Sequence, residues 1–207
     1  VNQPRLEPTC VVAIQNKQLC NSVFIRELME REVMAGDTPL GLRQLMQTSY
    51  VEVRREFSCC DHHFTVAAPE CGHFLVAKGL TTKHVRDTQD QVVMMLRNPQ
   101  RFCELPSMEV YVGQSPALTI KYKGGFSRSL WIDDEYEQHV LKIKQPYSFF
   151  GTADYNVLGT NDAQVGVIKR DWTEYDVQFP KDLDVRYKGA LIAACVFISI
   201  ESQRRRH

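Results

Sequence analysis

The sequence predicts a mainly β fold, an antiparallel barrel or sandwich with a single core helix near its C-terminus. Three observations carry this. From about residue 49 onward, short stretches of alternating or β-branched residues recur, as in Tyr50–Val53, Phe64–Ala67 and His139–Lys144. Turn signals separate them: Asn98-Pro99, Gly124-Gly125, Asp133-Asp134 and Gly159-Thr-Asn-Asp162. The only long uninterrupted apolar run is Gly189–Ile200. A membrane-spanning helix needs about 20 apolar residues. This run has 12 and reaches about 18 Å as a helix. A helix apolar on all sides is normally enclosed by protein. A sheet closed around it would cover that surface and leave few free edges.

In order along the chain, Val11–Ile14 is a short β-type run. Asn21 or Ser22 can cap a helix whose Phe24, Leu28, Met29 and Val33 share one face, with Arg26, Glu30 and Arg31 opposite. Gly36-Asp37 ends it, and residues 1–38 are expected to be an N-terminal helical extension. Thr38-Pro39 can cap and start a second short helix through Leu42, Leu45 and Met46. Phe64–Ala67 and His73–Ala77, joined by Pro69-Glu-Cys-Gly72, read as a hairpin. Further strands are expected at Val92–Leu96, Met108–Val112, Ala117–Tyr122, Leu130–Asp133, His139–Lys144, Tyr147–Phe150, Tyr155–Leu158, Gln164–Lys169 and Tyr175–Phe179. The core helix is expected at about 187–201, presenting Leu191, Ile192, Cys195 and Phe197 to the barrel lining, within a domain over 39–207.

Composition narrows the function. Of 207 residues 43% are hydrophobic, and 25 Lys+Arg balance 25 Asp+Glu. That is too apolar and too evenly charged for a disordered chain. It gives no bulk drive toward DNA or RNA, so no nucleic-acid partner is expected. Seven scattered Cys favour a reducing compartment over a disulfide framework. Val1–Cys10 holds no apolar segment, so no secretory signal is expected there. No G-x-S-x-G elbow, P-loop or G-x-G-x-x-G is present, so catalysis lacks a candidate and a non-enzyme is expected.

The stretch Gln178-Phe-Pro-Lys-Asp-Leu-Asp-Val-Arg-Tyr-Lys-Gly-Ala-Leu-Ile-Ala-Ala-Cys-Val-Phe-Ile198 resembles the "FPxDLDVKMKAxxxGACFLI" ending of the phospholipid scramblases. Other pieces match in the same order. Pro39–Leu45 is similar to "PPGLEYL", and Phe64–Val66 through Phe74–Val76 to the family's first hairpin. Val85-Arg-Asp87 with Val92–Leu96, Pro99, Arg101 and Cys103 is similar to "IIDxxxxxVxxLxRPxRC", and Gly166–Trp172 to "GKISKHW". The resemblance covers about residues 39–201. It implies a tubby-like, twelve-stranded barrel around a hydrophobic helix. It also implies calcium-dependent movement of phospholipids between leaflets, at the cytoplasmic face of a membrane such as the plasma membrane. Related tubby-like proteins bind phosphoinositide headgroups. The expected function is therefore membrane-associated phospholipid binding or scrambling, with phospholipid and anionic headgroups as partners. The competing expectation is a soluble interaction or transcriptional adaptor, which has kept the barrel.

Three departures from the family pattern stand out. In the family's calcium loop, D-x-D-x-F-G-x-x-F-P-x-D, only the first and last acidic positions are matched, by Asp171 and Asp182. Thr173, Tyr175 and Asp176 occupy the third, fifth and glycine positions. Two carboxylates and a carbonyl fall short of the six to eight oxygens calcium takes. The cysteine-rich acylation tract is reduced to Cys103, whereas stable anchoring needs two signals. The proline-rich N-terminal tail is replaced by residues 1–38.

Other clusters have two readings each. Cys59, Cys60, His62, His63, Cys71 and His73 offer zinc-type atoms, yet neighbours on a strand face opposite ways; the alternative is a solvated loop with histidines at a hairpin end. Cys59-Cys60 is also an acylation candidate. Asp133-Asp134-Glu135 with Glu137 can attract a cation or form a solvated turn. Arg204-Arg205-Arg206 beside the apolar run can hold anionic lipid or keep the terminus soluble. Lys121, Lys123, Lys142 and Lys144 alternate on neighbouring strands, so each pair faces one side, and together they can make a cationic face for headgroups.

Overall fold

A computed structural model describes residues 38–57, 62–99, 105–122, 129–146, 154–171 and 173–204. The expectations for residues 1–37 and Tyr147–Phe150 lie outside them, as do Cys59, Cys60, Cys103, Lys123, Trp172, Arg205 and Arg206. The chain divides after Thr38, and Pro39–His207 carries every described element.

Helix α1 (Leu40–Gln47) precedes twelve strands: β1 (Tyr50–Phe57), β2 (His62–Ala68), β3 (Gly72–Lys78), β4 (Thr82–Asp87), β5 (Val92–Arg97), β6 (Ser107–Val112), β7 (Leu118–Tyr122), β8 (Ser129–Asp133), β9 (His139–Lys144), β10 (Tyr155–Leu158), β11 (Gln164–Arg170) and β12 (Glu174–Gln178). Helix α2 (Val185–Arg204) follows. Each strand pairs antiparallel with the next, and β1 pairs with β12 to close the barrel. The expected fold class is the observed one.

Alternation places the core. Val51 and Val53, Met108, Val110 and Val112, Leu118 and Ile120, Leu141 and Ile143 are all buried at period two. Closure leaves no ladder edge among the paired strands. At the β1–β12 seam, the Tyr50 hydroxyl donates to Asp176 Oδ1 at 2.5 Å. That hydrogen bond, with burial, pushes the phenol up to about 12.

The interior belongs to α2. Residues 188–199 are buried without interruption, so this helix has no polar face over its middle, which is what a helix enclosed on all sides requires. It is longer than the apolar run, with 20 residues or about 30 Å. Its ends are charged: Arg186 pairs with Asp184, and Arg204 with Glu201 at 2.9 Å. No described helix is long and apolar enough to cross a membrane.

Because the strands run up and down in sequence, odd strands from β3 to β11 end at one rim and even strands at the other. Helix α2 starts at the rim where β12 ends, here the near rim. It runs toward the far rim, where Phe197 meets Tyr122 at the end of β7, with ring centroids 5.3 Å apart.

Eight-residue α1 is too short to hold itself together in water. It has no side-chain N-cap, no acidic residue in its first turn and no basic residue in its last. The cap expected from Thr38 is supplied instead by Asp87 of β4. Its Oδ2 accepts from the Gly41 N–H at 3.0 Å, and its Oδ1 accepts from Gln89 and Gln91 N–H. One buried carboxylate thus anchors α1 and shapes the β4–β5 turn. Asp87→Ala is expected to cost about 2–3 kcal/mol and Asp87→Asn about half that, because the amide keeps one acceptor. Urea unfolding checks both.

A candidate headgroup-binding wall

The ladder places Lys121 of β7 opposite Trp131 of β8, and Trp131 opposite Lys142 of β9. Directly opposed side chains lie about 4.5–5.5 Å apart at Cβ, so the indole stands between two lysines on one outer face. Lys142 Nζ is 5.4 Å from the Trp131 ring centroid and 3.2 Å from Asp162 Oδ1. The His139 ring packs against Trp131 with centroids 4.1 Å apart.

Beneath them lies Asp133, only 1% exposed. Its Oδ2 is 2.5 Å from Lys121 Nζ, and its Oδ1 contacts His139 Nδ1. A buried carboxylate is tolerated only when paired, and here its partners are fixed by that need. Asp133 therefore orients Lys121 and His139 while Lys142 leans over the indole. Exposed Lys144 shares this face, two residues beyond Lys142. The result is an aromatic plate with ammonium donors around it, suited to an anion carried at an apolar boundary.

The lysines of this wall are readable from alternation. Trp131, Asp133 and His139 are not, because their roles come from cross-strand register. The acidic cluster resolves into separate tasks: Asp133 faces the wall, and Asp134 Oδ1 accepts from Tyr136 and Gln138 N–H, shaping the β8–β9 turn.

The other candidates are placed as follows. Leu191, Ile192, Cys195 and Phe197 are all buried in α2, and burial holds the Cys195 thiol protonated by pushing its pKa up. Asp171 follows β11, whereas Asp182 lies between β12 and α2. Strand β12 stands between them, and at about 3.3 Å per residue its five positions keep the two carboxylates further apart than one calcium shell allows. The structure does not bring this pair together. On the β2–β3 hairpin, Cys71 and His73 lie at the turn end. His62 and His63 start β2 at the other end, so the ladder sets His63 apart from Cys71 and His73. Among the described residues no three His, Cys, Asp or Glu side chains gather as a metal site. Arg204 is the last residue of α2.

The Scramblase family profile matches residues 76–202, from β3 through α2. The chain belongs to the scramblase family. This scramblase domain is 28% identical over 144 residues to human phospholipid scramblase 1, covering 56% of the chain and 44% of that protein. It is 25% identical over 142 residues to human phospholipid scramblase 4, covering 55% and 42%. The chain thus spans less than half the length of these curated relatives. A solved protein from Arabidopsis thaliana superimposes with a TM-score of 0.49 at 16% identity, over 74% of this chain and 91% of that one.

Proposed function

We propose that this scramblase domain binds phospholipid headgroups at a membrane surface, on the wall of β7, β8 and β9. What supports the reading most is Trp131 held between Lys121 and Lys142. An indole favours the boundary between apolar and wet surroundings. Lys121 and Lys142 are held beside it by Asp133 and Asp162, and exposed Lys144 on the same face adds attraction for anionic lipid of about 1 kcal/mol.

The domain engages lipid from outside the barrel. Helix α2 fills the interior, leaving no lumen for a lipid to pass. Outward strand positions carry Arg54, Arg86 and Lys142, and such charges cost about 2–4 kcal/mol each at a bilayer midplane. Calcium has no part in the reading, since β12 holds Asp171 and Asp182 apart.

Purified protein is expected to co-sediment with vesicles of phosphatidylcholine plus phosphatidylserine, and not with phosphatidylcholine alone. Calcium and a chelator are expected to give the same result. Trp131→Ala combined with Lys142→Gln is expected to lower partitioning about tenfold. Full binding by that variant refutes the wall. Absence of binding to either vesicle refutes the membrane reading and leaves the soluble interaction module.

A further inference from the structure

One member of the wall has chemistry that a lysine lacks. His139 opens β9, and its side chain is 51% exposed. Its ring lies against Trp131 with centroids 4.1 Å apart. Its Nδ1 contacts Oδ1 of Asp133, the buried carboxylate that also holds Lys121. An ionised carboxylate can only accept, so Nδ1 carries the hydrogen of that bond. In the neutral ring the second nitrogen, Nε2, is then an acceptor. Nε2 makes no hydrogen bond to any described residue.

Asp133 therefore fixes the tautomer. A lone pair at Nε2 opposes the oxygens of a phosphate. Uptake of one proton turns the same atom into an N–H donor and adds a positive charge, while the Asp133 bond is kept and becomes charge-assisted on both sides. The ring needs no rearrangement for this, because the carboxylate and the indole already hold it. The charged groups around it come from several elements. Asp133 stands across the ladder on β8, with Lys121 beyond it on β7. Lys142 follows on β9 and pairs with Asp162 of the β10–β11 turn. Asp134, Glu135 and Glu137 occupy the β8–β9 turn, and Glu135 acts on Arg186 of α2. Among these residue types, histidine is the one that ordinarily changes charge between about pH 5 and about pH 8.

We infer that His139 is a proton-gated ligand of the wall: once protonated, it donates from Nε2 to a phosphate oxygen of an anionic phospholipid seated beside Trp131. The inference rests on the membrane reading above and adds a contact and its regulation. With the ring neutral, Lys144 is the exposed cation of this face, and Nε2 turns phosphate away. With the ring protonated, the face gains one charge and one directed N–H beside the indole. The sign follows from the charge: binding strengthens as pH falls. One added charge near an anionic surface raises partitioning about fivefold.

The test uses the same purified chain and the same phosphatidylserine-containing vesicles, at about pH 8 and about pH 5. Protein that sediments without vesicles is subtracted. Partitioning of the unaltered protein is expected to rise about fivefold at the acid end. His139→Gln is expected to abolish that rise; its amide can still donate to Asp133, so the buried carboxylate keeps a partner. His84→Gln, on β4 and away from the wall, is expected to retain the rise. Vesicles with phosphatidylglycerol in place of phosphatidylserine, whose charge is the phosphate alone, are expected to show the same rise. Equal binding at the two pH values, a rise that survives His139→Gln or is lost in His84→Gln, or a rise confined to phosphatidylserine overturns the inference, while binding itself upholds the membrane reading. Failure of the unaltered protein to bind anionic vesicles at either pH overturns that reading.

Discussion

Lys188→Met is expected to destabilise the domain by about 3–5 kcal/mol, the range for breaking a buried charged arrangement by removing one partner. Lys188 lies in the first turn of α2 and is fully buried. Its Nζ approaches the carbonyls of Met46, Thr48 and Lys181 at 2.8–2.9 Å and that of Leu45 at 3.3 Å. Those of Leu45 and Met46 belong to the last turn of α1, where helix carbonyls lack partners within the helix. The cation also meets the negative end of the α1 dipole, as Asp87 meets the positive end. Two buried charges from distant parts of the chain thus replace the caps that α1 lacks. Methionine keeps the aliphatic stem, so the loss reports the unsatisfied carbonyls, at about 1–3 kcal/mol each before relaxation. A shift in the urea midpoint at constant slope is the expected signature.

The same residue gives a pH dependence. Burial lowers the Lys188 amine to about 8 from its ordinary 10.5. The unfolded chain therefore holds this proton to higher pH than the folded one. Stability rises with pH wherever the unfolded state binds more protons. Relative to Lys188→Met, the unaltered domain is expected to gain stability as pH climbs from about 8 to about 10.5, with no change in the difference below that window. Unfolding of both proteins at a series of pH values checks the sign.

What the sequence made legible follows from where burial is one-sided. Strands β6 and β9 show period two, in β9 from Leu141 onward, because one face is buried inside the barrel and the other is not. The run Gly189–Ile200 is legible because it is apolar on every side. Strand β4 appears in the sequence only as Val85-Arg-Asp87, since two of its buried positions are Lys83 and Asp87. Lys83 donates to the Gly79 carbonyl and Asp87 accepts from Gly41; both partners are set by tertiary structure. The helix expected at about 187–201 runs a little further, over Val185–Arg204. Its charged ends are satisfied by Asp184 and Glu201, which extends the helix past the apolar run. The wall was half legible: period two gives the lysines, while Trp131 and Asp133 need a strand register that no local pattern encodes.

Gly189→Val is expected to destabilise by about 4 kcal/mol or more, past the usual 1–3 kcal/mol of overpacking. A Cβ on Gly189 would lie 2.6 Å from Val112 Cγ2 and 2.8 Å from Met94 Sδ. The methionine can rotate away, but Val112 is β-branched and held at the near-rim end of β6 with little rotamer freedom. The backbone of α2 approaches β6 closely at this point because glycine is there, despite costing a helix interior about 1 kcal/mol relative to alanine. Gly189→Ala regains that propensity and still meets the clash, so its net cost is expected near 1–2 kcal/mol. At about 2–4 °C per kcal/mol for a domain of this size, valine lowers the melting temperature by about 8–16 °C and alanine by a few degrees. The contact itself is isolated by a double-mutant cycle. Val112→Ala removes the methyl groups that a Cβ at position 189 would strike. Gly189→Ala in that background is expected to cost about 1–2 kcal/mol less than in the unaltered domain. Strict additivity would place the need for glycine elsewhere than in the approach of α2 to β6.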